Sequence, residues 1–311
     1  LLLMDETGDI KAVVSREYPL YFPKPGWSEQ KPEDWYSNLV EGIHDLMKGQ
    51  DASQVEGISF GGQMRGLVIL DENDNVLRPA ILWNDGRTQA ECDYLNNEIG
   101  REKISAYTAN MALTGFTAPK LLWVKKNEPE IFEKIAKIML PKDYLAYMLS
   151  GVHCTDVSDA SGMLLFDVQN KCWSQEMIDI VGIRREQLAD IFESYEVVGT
   201  LTAKAAAELG LPEGVKIIAG AGDNAAGAVG TGTLEHGMCS VSLGTSGTVF
   251  ISTNEFAVDD ANAMHSFAHG NGKFHFLGCM LSAASANKWW MDEIIGTKDY
   301  AKEQEGIEKL G

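Results

Sequence analysis

The segment from Val215 to Asn224 constrains the fold more than any other part of the chain. Val215–Ala219 is a continuous apolar run of strand length, and it leads into Gly220–Asn224, which reads Gly-Ala-Gly-Asp-Asn. Small residues at 225–229 then predict a helix. A buried strand that ends in glycines before a helix is typical of α/β folds, in which ligands bind at the carboxyl ends of strands. Asp223 therefore stands where a catalytic base would be useful, although an aspartate at this point also fits a plain helix N-cap.

Strands and helices alternate along the chain, which predicts an α/β architecture. Apolar Leu1–Met4, a set of turn residues and a strand from Ile10 to Tyr18 predict an opening β-hairpin. Pro32 begins a helix whose apolar residues recur at helical spacing. The other predicted elements are a strand at Val55–Phe60, a hairpin of Gly66–Leu70 and Val76–Trp83, helices at Arg87–Glu98, Pro119–Lys126, Pro129–Ala136 and Lys142–Leu149, and a strand at Lys137–Leu140.

A second structural unit is predicted beyond Gly237. The strands Cys239–Leu243, Thr248–Thr253 and Lys273–Met280 follow one another there, around a tight glycine turn. The small residues of Thr231–Gly237 suit a hinge. We therefore predict one domain over residues 1–235 and the start of a second over residues 236–311.

The turn between the first two of these strands is a candidate phosphate-binding loop. Ser242–Thr248 reads Ser-Leu-Gly-Thr-Ser-Gly-Thr, and its exposed N–H groups and hydroxyls can surround phosphate oxygens. It is not a P-loop, because the lysine of that motif is missing. A plain hairpin turn would use the same glycines, so this alternative stays open.

A second polar loop lies between two predicted strands at Gly61–Gly66. It reads Gly-Gly-Gln-Met-Arg-Gly, and its amide and guanidinium suit hydrogen bonds to sugar hydroxyls. Ordinary surface polarity explains the same residues. The nearby Trp83–Arg87 stretch adds similar groups, but Asp85 and Arg87 are as well explained by a structural ion pair.

Charge and composition exclude several classes of function. A net charge of −19 argues against nucleic acid and anionic membranes as partners, and no apolar run is long enough to cross a bilayer. The five cysteines are scattered without a C-x-x-C spacing, which favours reduced thiols in a cytoplasmic protein. His265 and His269 are four residues apart, but their segment is predicted as a loop. No metal site built from protein side chains is predicted.

Taken in order, these segments resemble the FGGY family of carbohydrate kinases, and among them most closely the members that act on D-xylulose. The resemblance covers essentially the whole chain. The matching segments are Pro25–Gln30, Pro32–Trp35, Gly61–Gly66, Trp83–Thr88, Thr117–Val124, Leu140–Leu145, Thr155–Gly162, Gly220–Gly227 and Leu243–Gly247.

The resemblance implies an actin-like ATPase (ribonuclease H-like) fold, with two α/β domains that close on ATP and substrate. It implies transfer of the γ-phosphoryl of ATP, with Mg²⁺, to a primary hydroxyl of a pentulose, expected to be D-xylulose. Ribulose, gluconate, glycerol or another polyol as substrate, or a sugar-binding relative without activity, are the alternatives. A homodimer is left open. The implied roles are Asp223 as general base, Gln63, Met64, Arg65 and Asn224 as sugar contacts, and Gly244, Thr245, Ser246, Gly247 and Thr248 as contacts to the ATP phosphates.

The sequence departs from the family pattern in three places. Arg65 stands where the D-xylulose kinases often have histidine, which changes the donor offered to the sugar. The first phosphate loop of the family is expected before Leu1, and its second signature and adenosine-binding glycines beyond Gly311. We therefore expect the second domain to be incomplete in this chain, and the chain to be inactive alone.

Overall fold

The computed structural model describes residues 1–303 and 305–306. Its strands are β1 Leu2–Met4, β2 Ile10–Val13, β3 Glu29–Gln30, β4 Gly57–Ile58, β5 Gly61–Gly62, β6 Val68–Leu70, β7 Ala80–Ile81, β8 Lys137–Met139, β9 Cys154–Asp156, β10 Phe166–Asp167, β11 Cys172–Trp173, β12 Asp190–Phe192, β13 Val197–Thr200, β14 Lys216–Ile218, β15 Ala221–Gly222, β16 Cys239–Leu243, β17 Gly247–Thr253, β18 His265–Ala268 and β19 Phe274–Met280. Its helices are α1 Pro32–Leu46, α2 Gln89–Asp93, α3 Arg101–Thr108, α4 Thr117–Asn127, α5 Pro129–Phe132, α6 Pro141–Ser150, α7 Val157–Ala160, α8 Gln175–Val181, α9 Ala203–Leu209, α10 Asp223–Gly230, α11 Ala284–Trp289 and α12 Tyr300–Glu303. The predicted α/β class is confirmed.

The opening hairpin and helix α1 follow from the local sequence pattern. The opening hairpin is confirmed, although β2 ends at Val13 and not at Tyr18 as predicted. Helix α1 starts with Pro32 in its first turn, where the missing N–H has no cost, and buries Trp35 and Ile43 along one side. No helix in the described part of the chain combines the length and the apolar content that crossing a bilayer requires.

Two pairs of parallel strands bring distant parts of the chain together. β4 pairs with β14, and further along β5 pairs with β15, with Gly62 opposite Gly222. β13 lies antiparallel on the other side of β14. The chain leaves β5 into Gln63–Arg65 and leaves β15 into Asp223. Because parallel strands end at the same edge of a sheet, these two polar segments lie side by side.

The last sheet is antiparallel, in the order β16, β17, β19, β18. Three of its strands are those predicted from the sequence. β18 lies in the segment that was expected to be a loop, and that expectation is wrong. His265–Ala268 forms a strand because its main chain pairs with β19. This pairing joins two separate segments, so the local sequence pattern does not indicate it.

This sheet shares a hydrophobic core with the preceding residues. Phe250, Phe267 and Leu277 belong to the same buried cluster as Met64 and Phe116. Apolar packing thus holds the sheet over the ends of β5 and β15. The domain boundary near residue 235 stays a prediction.

The opening hairpin stands apart from the three-stranded sheet. Within the part of the chain that the structure describes, β1 pairs with β2 alone, and β4 is the end strand of the sheet that it shares with β14 and β13. A cavity of about 1,110 Å³ lies between them, lined by residues 1–4 and 59–63 among others. Each of these two strands therefore presents a main-chain edge toward the cavity.

Candidate active site

A small cavity lies where β5 and β15 end. Its volume is about 180 Å³, equivalent to about six water molecules at ~30 Å³ each, which suits a small polyol and is too small for a nucleotide. The lining residues are Met64, Arg65, Trp83, Asp223, Asn224, Ser242, Ser246, Thr248, Leu277 and Cys279.

Asp223 is the first residue of α10, and Gly222 occupies the N-cap position. The Asp223 carboxylate accepts hydrogen bonds from the Asn224 backbone N–H at 2.8 Å and from Asn224 Nδ2 at 2.9 Å. Asp223 is therefore not the N-cap itself. One of its carboxylate oxygens does bind an N–H of the first helical turn, as a capping residue would, but the side chain remains exposed to the cavity. The surrounding protein raises the pKa of the Asp223 carboxyl, and the hydrogen bonds from Asn224 and the charge of Arg65 oppose this.

Arg65 reaches the same cavity from the end of β5. Its guanidinium carbon lies 4.6 Å from the ring centre of Phe116 and 5.4 Å from that of Phe267. Among the residues that the structure describes, the guanidinium forms no ion pair and donates no hydrogen bond. It is a cation that lies against two neighbouring aromatic rings, with its donors available to a ligand.

The glycine turn between β16 and β17 forms the opposite wall. The carbonyl groups of Gly244 and Thr245 accept hydrogen bonds from the backbone of Ala284 and Ala283, both at 2.9 Å. The amides of Thr245 and Ser246 donate to no acceptor within the described residues. Free amides beside two hydroxyl side chains are suited to phosphate oxygens.

A buried ionic network supports the end of β15 from below. Lys142 Nζ lies 2.7 Å from Asp143 Oδ1 and 2.8 Å from Asp156 Oδ1, with all three side chains buried. Burial alone would lower the pKa of Lys142, but the two carboxylates raise it above its ordinary value. Ser158 donates to Asp156 and accepts a hydrogen bond from the Gly222 N–H at 3.1 Å. The network therefore fixes the residue that precedes Asp223.

Two of the polar groups noted in the sequence have structural partners. Arg87 donates to both carboxylate oxygens of Asp85, at 2.9 and 2.7 Å, so the structural alternative for this pair is correct. Gln63 donates to Gln30 Oε1 at 2.9 Å and lines the larger cavity instead of the small one.

The structure places four of the predicted sugar and base residues on the small cavity, together with Ser246 and Thr248 of the glycine turn. Gly244, Thr245 and Gly247 lie in that turn but do not line the cavity. Ser242 lies in the candidate phosphate-binding loop but had no predicted role, and neither Leu277 nor Cys279 was predicted to reach the site. Ser242 pairs with Thr248, and Thr248 with Cys279, so they form one row across three strands. Only the strand register could have revealed them.

The described residues contain no group of three or more histidine, cysteine, aspartate or glutamate side chains arranged to hold a metal ion. A carboxylate and a guanidinium at the ends of parallel strands, facing a glycine turn with free amides, form a small polar ligand site in a protein of the α/β class.

Comparison with known proteins identifies the family. The model of the FGGY family of carbohydrate kinases, N-terminal domain, matches residues 1–230. The xylulose kinase of Bacillus subtilis is 38% identical over 99% of this chain and 62% of its own length. The xylulose kinase of Escherichia coli is 39% identical over 93% of this chain and 59% of its own length. This chain belongs to the FGGY family of carbohydrate kinases.

Solved structures agree with the assignment. A "xyloylose kinase" from Brucella ovis superposes with a TM-score of 0.92 at 38% identity, over 100% of this chain and 63% of that one. A ligand-bound xylulose kinase from Lactobacillus acidophilus gives a TM-score of 0.89 at 26% identity, over 94% of this chain and 60% of that one. The predicted actin-like fold class is confirmed. The chain spans about three fifths of the length of these relatives.

Proposed function

We propose that this chain supplies the sugar site and the general base of an ATP-dependent kinase that phosphorylates a primary hydroxyl of a pentulose, D-xylulose being the expected substrate. The observation that carries the proposal is the position of Asp223, whose carboxylate faces a cavity of sugar size between Arg65 and the glycine turn. Its xylulose kinase relatives support the choice of sugar.

Three residues of the cavity have separate roles in the proposed reaction. Asp223 accepts the proton of the sugar hydroxyl as that oxygen attacks the γ-phosphorus of ATP. Asn224 holds the carboxylate in place through its backbone and side-chain N–H groups. Arg65 donates to sugar oxygens on the far side of the cavity and, being positive, favours the ionised form of Asp223.

The glycine turn faces the phosphates in this proposal. The free amides of Thr245 and Ser246, with the hydroxyls of Ser246 and Thr248, bind phosphate oxygens. Mg²⁺ bound with ATP would supply the positive charge that a chain of net charge −19 lacks. The cytoplasmic location and a homodimer remain predictions.

The proposal is tested by coupled ADP-release assays on the full-length protein over a panel of pentuloses, glycerol and gluconate. Asp223→Asn keeps the size of the side chain but cannot accept the proton, so kcat should fall by about 10²- to 10⁴-fold while sugar binding is retained. Asp260→Asn, at an exposed carboxylate, is the matched control and should be fully active.

Two results would contradict the proposal. If no sugar stimulates ADP release, the protein is a binding relative and not a kinase. If Asp223→Asn retains full activity, the base is another residue. Turnover of gluconate or glycerol in preference to every pentulose would change the substrate but keep the base.

A further inference from the structure

Arg65 has an unusual main-chain conformation. Its φ is 70°, in the left-handed region that residues with a side chain adopt only at a cost. The carbonyl oxygen of Arg65 accepts two hydrogen bonds, from Lys120 Nζ at 2.7 Å and from Thr117 Oγ1 at 3.1 Å. Both donors belong to α4, so one helix end fixes the strained residue.

Lys120 itself is unusual. Its side chain is completely buried, and no carboxylate within the described residues lies at ion-pair distance from its ammonium group. Burial lowers the pKa of Lys120 well below its ordinary value. A buried amine is costly to a fold unless it is hydrogen-bonded, so a side chain that only filled space here would be better apolar.

Lys120 also binds a second backbone carbonyl, next to the aromatic ring that contacts Arg65. Lys120 Nζ also donates to the carbonyl of Gly115 at 2.7 Å. Gly115 precedes Phe116, whose ring lies against the Arg65 guanidinium. One ammonium group thus joins the main chain on both sides of the contact between Arg65 and Phe116.

We propose that Lys120 is a positioning residue for the sugar site. By binding the carbonyls of Arg65 and Gly115, it holds Arg65 in the left-handed conformation and directs the guanidinium along Phe116 into the cavity that contains Asp223. Thr117 assists at the first carbonyl. This inference rests on the proposed sugar kinase function, because Arg65 is the group that Lys120 aims at the substrate.

The test is Lys120→Met in the full-length protein, which keeps the length of the side chain and removes the donors. A hydrogen bond from a charged group corresponds to about a 10- to 100-fold change in affinity, so the KM for the sugar should rise by that factor. The KM for ATP should stay within about twofold, since the ammonium does not contact the glycine turn.

The matched control is Lys125→Met. Lys125 lies on the same helix and also donates to a backbone carbonyl, that of Val181 at 2.8 Å, but it is exposed and away from the cavity. It should leave both KM values unchanged. If Lys120→Met does not fold, Thr117→Val decides, because it removes one donor and should raise the sugar KM by about two- to tenfold.

A double-mutant cycle separates positioning from mere packing. Arg65→Gly removes the guanidinium and tolerates the left-handed conformation, so adding Lys120→Met to Arg65→Gly should have little further effect.

The outcomes are distinct from those for the proposed function. A wild type that turns over no sugar overturns the function. A wild type that is active, with an unchanged sugar KM in Lys120→Met or Thr117→Val, overturns the positioning role. So does an equal rise in the KM for ATP, or an additive effect of Lys120→Met and Arg65→Gly.

Discussion

Replacing His275 with phenylalanine should make the protein more stable, and increasingly so as the pH falls. His275 is 1% exposed, and neither of its ring nitrogens has a hydrogen-bond partner within the described residues. Its ring stacks on Phe250, with the ring centres 4.0 Å apart, and meets Phe267 and His269 edge to face. A phenylalanine ring would keep these contacts and remove the two unpaired nitrogens.

The pH-dependent part of the effect has a definite sign. Burial lowers the pKa of His275 well below its ordinary value of 6.5, and the neighbouring His269 and His265 act in the same direction; the nearby Ala268 backbone, outside hydrogen-bond geometry, opposes them weakly. The unfolded chain binds a proton below about pH 6.5, whereas the folded chain does not. The free energy of unfolding therefore falls as the pH drops below 6.5, for as long as the buried ring stays neutral.

The size of the loss in unfolding free energy follows from the number of pH units over which only the unfolded chain binds the proton. One pH unit corresponds to about 1.36 kcal/mol, so His275 should cost about 2 kcal/mol between pH 7.5 and pH 5. Removing an unpaired buried N–H adds about 1–3 kcal/mol at every pH, less any cost of fitting the larger ring. The packing cost is the same at pH 7.5 and at pH 5. The change in stabilisation between these two pH values therefore reports only the protonation of His275.

Urea unfolding of wild type and His275→Phe, followed by circular dichroism at pH 7.5, 6.5 and 5, measures the difference. Leu281→Ala, at an exposed side chain that carries no proton, is the control and should keep the pH dependence of the wild type. If wild type and His275→Phe lose the same free energy between pH 7.5 and pH 5, His275 is not held neutral and the reasoning is wrong.

The other predictions concern the support of the candidate base. Lys142→Met should lower the free energy of unfolding by about 3–5 kcal/mol, because it leaves Asp156 buried without its cation; an unchanged urea midpoint would contradict this. Gly220→Ala should cost at least about 1–3 kcal/mol by the same measurement, because Gly220 has a φ of 75° and a Cβ there would lie 2.4 Å from the Phe60 carbonyl oxygen. Gly227→Ala, within α10 and with open space around it, is the control and should be neutral or stabilising.

The parts of the fold that local chemistry determines could be predicted from the sequence. Helix α1 follows from Pro32 and its apolar spacing, and β16 follows from the run Cys239–Leu243. Asp223 could be placed at a strand end because the glycines before it mark where β15 stops. Each of these signals lies within about ten residues of the element that it specifies.

The rest depended on contacts between segments. Gln63 looked like a sugar contact because its loop is polar, but its amide is taken by Gln30, thirty-three residues away. Cys279 reaches the cavity only because β19 pairs with β17 in one register. Lys120 was part of a matching motif, yet its bond to Arg65 joins two segments that meet only in the folded chain.

Two strand edges beside the larger cavity, those of β1 and β4, have no further partner strand within the described residues. An unpaired edge offers N–H and C=O groups to any other strand, and apolar side chains make the encounter more favourable. Leu2 and Met4 of β1 are 50% and 57% exposed, and β4 presents its own edge across the gap. We expect a sample of these 311 residues to associate more as its concentration rises, and light scattering at two concentrations measures this.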